Sequence, residues 1–357
     1  MSEEADSENR ALRALKLAGL VAASLLVSLL LAEAALRLTW SYSAPGHELG
    51  NKRMLKAPPG EKDLVTVFEL NQPNIDGWHK GVPYRTNSAR FRGPEVTLEP
   101  APGVFRIVVI GDSVTMGSGV REEDAYAGRL AALLDAARPD ARHEVLNLGL
   151  SGLNTDRIVN RLESIGLPRH PDMIVYGYTL NDVEGRAYVN TIRKGSYAEM
   201  LREYEKAVES PSYLWRALRP RWLTFRANYL QPVGTMQHDL FYNYFDNPAA
   251  WQQVADGLAL LGRISRARGI CTLVFLHTGT NELAWGMRVG PLFNLVTRTA
   301  EAEGLNVAPS RPWLEGVRPA DLRLHRFDSH PNELGHEKLS EALLAGLLAL
   351  PERCWTR

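Results

Sequence analysis

Cysteine is scarce in this sequence: its 357 residues include only Cys271 and Cys354. The two stand far apart, which excludes the close thiol spacing of a zinc site or a redox dithiol. No metal and no cofactor are expected. An excess of charge of one sign is missing too, since 41 Lys and Arg balance 41 Asp and Glu. Such a chain lacks the basic footprint of a nucleic-acid binder, so no nucleic acid is expected as a partner. The stretch from Gly111 to Gly119 lacks the lysine of a phosphate-binding loop and the spacing of a dinucleotide fingerprint, which sets nucleotide binding aside. Long uncharged apolar runs are absent except at the N-terminus.

That exception runs from Leu17 to Ala32 (LAGLVAASLLVSLLLA), directly after Arg10, Arg13 and Lys16. It falls short of the roughly 20 residues that span a bilayer, but Ala34 to Leu38 extend it, with Glu33 near the interface. We read residues 1–16 as a cytoplasmic tail and 17–38 as a single-pass membrane anchor. The basic flank then places the remainder outside the cytoplasm, in the periplasm or at the cell surface. A second reading stays open. Ala32-Glu33-Ala34 fits a signal-peptide cleavage pattern, and cleavage there would release a secreted protein.

Residues 39–103 are rich in Pro, Gly and isolated charges and read as a linker leading into an irregular wrap. From residue 104 to 350, short apolar runs alternate with helical patterns. The runs are Phe105 to Ile110, Glu144 to Leu148, Met173 to Tyr178, Cys271 to Leu276 and Leu305 to Ala308. Apolar residues at three- and four-residue spacing mark helices over Tyr126 to Ala137, Thr155 to Ile165, Trp251 to Ala267, Leu292 to Glu303 and Glu333 to Leu350. This alternation predicts a three-layer α/β/α fold around a five-stranded parallel sheet, with reactive groups at the strands' C-terminal ends. An aromatic-rich insertion at about 183–247 follows the third strand and reads as a helical cap. Cys271 and Cys354 fall where they could meet at one end of such a sheet; a disulfide and two separate thiols both remain open.

Four short motifs sit where this fold puts chemistry. Gly111-Asp112-Ser113 follows the first strand, Asn147-Leu148-Gly149-Leu150-Ser151-Gly152 the second, and Thr179-Leu180-Asn181-Asp182 the third. Asp328-Ser329-His330-Pro331-Asn332 precedes the last helix. Taken singly, each has a structural explanation: Ser and Asp cap helices, Gly152 suits a turn, and Asn181 suits a loop. Taken together and in this order, they resemble the SGNH/GDSL hydrolase family. Tyr84-Arg85-Thr86-Asn87-Ser88 and Phe91-Arg92-Gly93 upstream resemble its membrane-anchored bacterial-type members.

The resemblance implies a flavodoxin-like sheet with Ser113 as nucleophile, His330 as general base and acid, and Asp328 as the group orienting the imidazole. It also implies an oxyanion hole made of the main-chain N–H groups of Ser113 and Gly152 and the side-chain amide of Asn181. The chemistry fits those residue types, because a serine hydroxyl needs a neighbouring base and an imidazole can both take and return a proton. Only Ser329 separates Asp328 from His330, and Phe327 occupies the position where the family more often has its acid. Asp328 or a main-chain carbonyl therefore orients His330. Asp182 orders its own loop, and His277 reads as a supporting residue. For Arg85, Arg90 and Arg92, binding of an anionic substrate stands beside ordinary surface pairing.

The implied activity is hydrolysis of acyl or acetyl esters through an acyl-enzyme, on an acyl-ester or acetylated-glycan substrate. Transfer of the acyl group to an envelope polysaccharide, and a catalytically silent envelope-binding module, are the alternatives.

Overall fold

The N-terminal apolar run forms a helix, α1 (Ser2–Trp40), within which the 25 residues Leu15–Thr39 contain an 18-residue window with a mean hydropathy of 2.2. At about 1.5 Å per residue that stretch is long enough to cross a bilayer. The computed structural model describes residues 2–40, 57–184, 206, 210–225 and 240–356, apart from positions 59, 65, 286–288 and 326–327. Most of the expected cap, and Phe327, lie outside the described residues. The chain divides into two units, Met1–His47 with Thr191–Thr235 and Glu48–Asn190 with Met236–Arg357.

The second unit begins with the expected wrap, which holds more regular structure than its composition suggests. A helical turn at Val67–Leu70 is closed by a capping box between Thr66 and Glu69. Strands β1 (Asp76–His79) and β2 (Val82–Arg85) then pair antiparallel, with His79 opposite Val82. The two-residue turn between them, Lys80-Gly81, has φ of 50° and 81°. Positive φ at both central positions is the condition for the tight turn that matches strand twist. Strands of four residues are too short to give an alternation signal in sequence.

The sheet is built from β3 (Val104–Gly111), β4 (Arg142–Asn147), β5 (Met173–Tyr178), β6 (Cys271–Leu276) and β7 (Asn306–Pro309). All neighbours are parallel, in the order β4-β3-β5-β6-β7. Helices interleave with the strands. They are α2 (Ser113–Met116), α3 (Tyr126–Ala137), α4 (Thr155–Arg161), α5 (Tyr213–Phe225, in the first unit), α6 (Pro248–Arg268), α7 (Thr280–Trp285) and α8 (Gly290–Ala302). A two-stranded ribbon, β8 (Arg323–His325) and β9 (Asp328–Pro331), leads into the last helix, α9 (Glu333–Leu348).

Ile107 to Ile110 are fully buried because helices cover both faces of β3. Val108 and Ile110 pack with residues of α4, α6 and α8, while Ile107 and Val109 pack with residues of α3 and α9. Each such side chain contributes roughly 1.5–3 kcal/mol by leaving water. The strand order reverses at β3, so the ends of β3, β4 and β5 surround the crevice where ligands of open α/β sheets bind.

Cys271, at the start of β6, and Cys354, beyond α9, form a disulfide with Cα atoms 5.3 Å apart. Their separation of 83 residues corresponds to about 4.5 kcal/mol of stabilisation in the chain-entropy account.

Candidate active site

The serine turn is packed from every side. Asp112 caps α2 through a 2.9 Å bond from the Val114 N–H to its Oδ1, and Ser113 opens the helix with 8% of its surface exposed. A Cβ on Gly149 would lie 2.3 Å from the Met116 nitrogen, so only glycine lets the loop after β4 approach α2 this closely. Asn147 fastens that loop, its Nδ2 donating to Thr115 O at 2.9 Å and its Oδ1 accepting from the Gly149 N–H. Arg92 lies buried beneath. Its Nη1 donates to Met116 O and Gly117 O, both at 2.9 Å, and its Nη2 to Val120 O at 3.2 Å. Burial pulls the Arg92 pKa below its ordinary value.

The second arm comes from β9. His330 Nε2 lies 2.8 Å from Ser113 Oγ, and His330 Nδ1 is hydrogen-bonded to Asp328 Oδ1. With the Nδ1–H donated to Asp328, Nε2 carries the lone pair that faces the serine hydroxyl. Asp328 Oδ1 also accepts the main-chain N–H of His330 at 3.1 Å. Asn332 caps α9 behind the histidine, its Oδ1 accepting from the Gly335 N–H at 3.0 Å.

Lys80, in the β1–β2 turn, donates to Asp328 Oδ2 at 2.7 Å and stands 3.0 Å from His330 Nδ1. Lysine and histidine thus divide the carboxylate, one oxygen each. Burial works to raise the Asp328 pKa, but His330 and Lys80 outweigh it and hold the group well below the ordinary carboxylate range. Sequence reasoning missed Lys80, whose only local mark is a Lys-Gly pair between two short runs.

Gly152 is exposed at φ 75° in the loop after β4, and Asn181 lies in the single turn Leu180–Val183 after β5. Asn181 Nδ2 donates to Asp112 Oδ2 at 3.3 Å, the same oxygen that lies 3.4 Å from Ser113 Oγ. An amide nitrogen has two hydrogens, so one remains for a ligand. Asp182 is fully buried beside Tyr176 and Thr179, and burial, with Asp112 nearby, pushes its pKa well up. The Thr179 hydroxyl lies within donating distance of both carboxylates, 3.0 Å from Asp182 Oδ1 and 3.1 Å from Asp112 Oδ2, and its single hydrogen serves one of them at a time. These contacts fix the loop that carries Asn181.

The other singled-out residues separate clearly. His277 is buried against the Tyr126 hydroxyl at 3.2 Å, and burial lowers its pKa to about 3. Arg85 is exposed and pairs with Asp76. Arg90 lies on the surface at φ 68°. Among the described residues no group of three or more His, Cys, Asp or Glu is gathered as metal ligands would be.

Residues 109–338 match the model of the GDSL-like lipase/acylhydrolase family. The chain belongs to that family. It is accordingly a hydrolase acting on ester bonds. No curated protein matches the chain. Similar solved structures include LAE5, an alpha/beta hydrolase enzyme from the metagenome of Lake Arreo, Spain. It is 19% identical, with 71% of this chain and 97% of that one covered and a TM-score of 0.44. TesA is 18% identical, with 68% and 97% covered and a TM-score of 0.41. Axe2, an acetylxylan esterase from Geobacillus stearothermophilus, is 18% identical, with 71% and 96% covered and a TM-score of 0.43.

Proposed function

We propose that the chain cleaves acyl or acetyl esters through an acyl-enzyme on Ser113, outside the cytoplasm and tethered to the membrane. The observation that carries this reading is the line from Ser113 Oγ through His330 to Asp328, with 2.8 Å between the hydroxyl and Nε2. Ser113 Oγ attacks the ester carbonyl while His330 Nε2 takes its proton. The N–H groups of Ser113 and Gly152 and the free Asn181 hydrogen then face the developing oxyanion. His330 returns the proton to the leaving alcohol, and a water activated by the same nitrogen releases the acid.

The first unit supports retention of the N-terminal helix. Glu33 accepts from the main-chain N–H groups of Tyr213 and Leu214, at 2.9 and 2.7 Å, and from Ser212 Oγ at 3.0 Å. It therefore serves the start of α5 while pairing with Arg37. Cleavage after Ala34 would remove this partner. The disulfide supports an oxidising, extracytoplasmic location.

A serine-reactive fluorophosphonate should label the full chain but not Ser113→Ala, and the substitution should lower ester turnover by roughly 10⁶-fold. Equal labelling or turnover in the two proteins would remove the serine from the mechanism.

A further inference from the structure

A second concavity, separate from the serine–histidine contact, lies against α4. Its volume is about 1140 Å³, above the range typical of small-molecule pockets, so it has room for an extended ligand. Arg90, Arg157, Arg161 and Arg169 line it, against one acid, Asp156. Gln253 Nε2 donates to Asp156 Oδ1 at 3.2 Å, and this single carboxylate leaves the four guanidiniums in excess.

Four guanidiniums around one cavity repel one another unless an anion joins them. Arg161 is held by structural bonds to Leu148 O, Arg90 O and Asn71 Oδ1. The guanidiniums of Arg90 and Arg157 have no ion-pair or hydrogen-bond partner among the described residues. Two further polar atoms of the lining, Arg169 Nε and Asn154 Oδ1, are buried without a partner among those residues. Burying them is costly unless a ligand or water completes their bonds.

The chain gives the cavity a direction. The helical path from Thr155 to Arg169 starts at the loop that carries Gly152 and ends just before β5, so Leu150, Leu153 and Asn154 belong to its first end and Arg169 to its last. Arg157 and Arg169 stand twelve residues apart along this path, the last part of which is not regular α-helix. A chain bound along these arginines leads to the loop that carries a proposed oxyanion donor. Amide and hydroxyl side chains such as Asn160 and Ser164 suit sugar hydroxyls.

We propose that this cavity binds an acidic polysaccharide, so that the ester presented to Ser113 is carried on an anionic glycan. The proposal deepens the ester-hydrolase reading and rests on it.

The test titrates the full chain in detergent, as Ser113→Ala, with an oligogalacturonate, a neutral oligoxylose and inorganic phosphate, by calorimetry. The acidic oligomer should bind at least tenfold more tightly than the neutral one and weaken with salt. Arg90→Asn combined with Arg157→Gln should lower its affinity about tenfold or more, with matched thermal unfolding as the control. Arg157→Lys should keep part of the affinity, which preserves the test if the double variant does not fold. Equal affinity for the two oligomers, or unchanged binding in the double variant, overturns the proposal. So does phosphate binding that the acidic oligomer fails to displace. Because Ser113→Ala binds without turning over, these results are independent of fluorophosphonate labelling in the wild type, which alone tests the hydrolase reading.

Discussion

Ser113 and His330 are 2.8 Å apart, yet they are held by different means. The serine sits on a helix start locked by main-chain contacts, with Gly149 and Arg92 packed against its turn. The histidine sits on a two-stranded ribbon, half-buried, and its ring is hydrogen-bonded to one carboxylate shared with Lys80. Packing fixes the first arm and charge fixes the second. Damage to the packing beneath the serine turn should therefore register mainly as lost stability, and damage to the charges around the histidine mainly as lost turnover.

The sharpest break of that contrast is Asp328→Ala. If Asp328 orients the imidazole, turnover per folded molecule should fall by about 10⁴-fold, far more than the loss of its ion pair with Lys80 takes from stability. A loss near tenfold would pass the orienting role to a main-chain carbonyl. Arg92→Met should do the reverse, lowering unfolding free energy by about 3 kcal/mol because buried carbonyls of the serine turn lose their donor. Its turnover per folded, fluorophosphonate-reactive molecule should stay near wild type.

His79 ties the hairpin that carries Lys80 to the serine turn, since its Nδ1–H donates to Leu64 O at 2.7 Å and its Nε2 accepts from Ser118 Oγ at 2.9 Å. Burial lowers its pKa from 6.5 to about 4. The unfolded chain thus takes up this proton first as pH falls. The contribution is fully present above pH 6.5 and is lost towards pH 4, about 3 kcal/mol in all. Denaturant unfolding between pH 7.5 and 4.5 should show a shallower pH dependence in His79→Gln. The smallest expected effect is that of Lys80→Met, a roughly tenfold fall in kcat at nearly constant melting temperature, with Lys80→Arg recovering part of it. A drop in stability with unchanged kcat would move Lys80 to the packed side of the comparison.

The five strands were legible because burial on both faces writes continuous apolar runs such as Phe105 to Ile110. Helix boundaries were less so: Thr155 to Ile165 ends as a regular helix at Arg161 and continues in a wider turn, Leu162–Gly166, that leaves no mark in the apolar spacing. Ser113, Gly152, Asn181 and His330 were singled out by the family resemblance, which rested on four motifs in order at strand ends and before the last helix. Lys80 was not, because its partner Asp328 is 248 residues away and the hairpin that joins them is too short to announce itself. The arginines show the same limit. Arg85, Arg90 and Arg92 are near neighbours in sequence, yet one pairs at the surface, one lines a cavity and one is buried beneath the serine turn. Only tertiary structure separates them.

The Cys271–Cys354 bond makes a covalent circle of β6 through α9, and the circle contains Asp328 and His330 but not Ser113. A protease that cuts the backbone once inside this circle produces two fragments that stay joined through sulfur. The histidine would then leave the serine only after a second event, reduction, so peptide-bond cleavage alone need not end activity. Antioxidant thiols and proteases, each tolerated singly, should inactivate the enzyme far faster in combination.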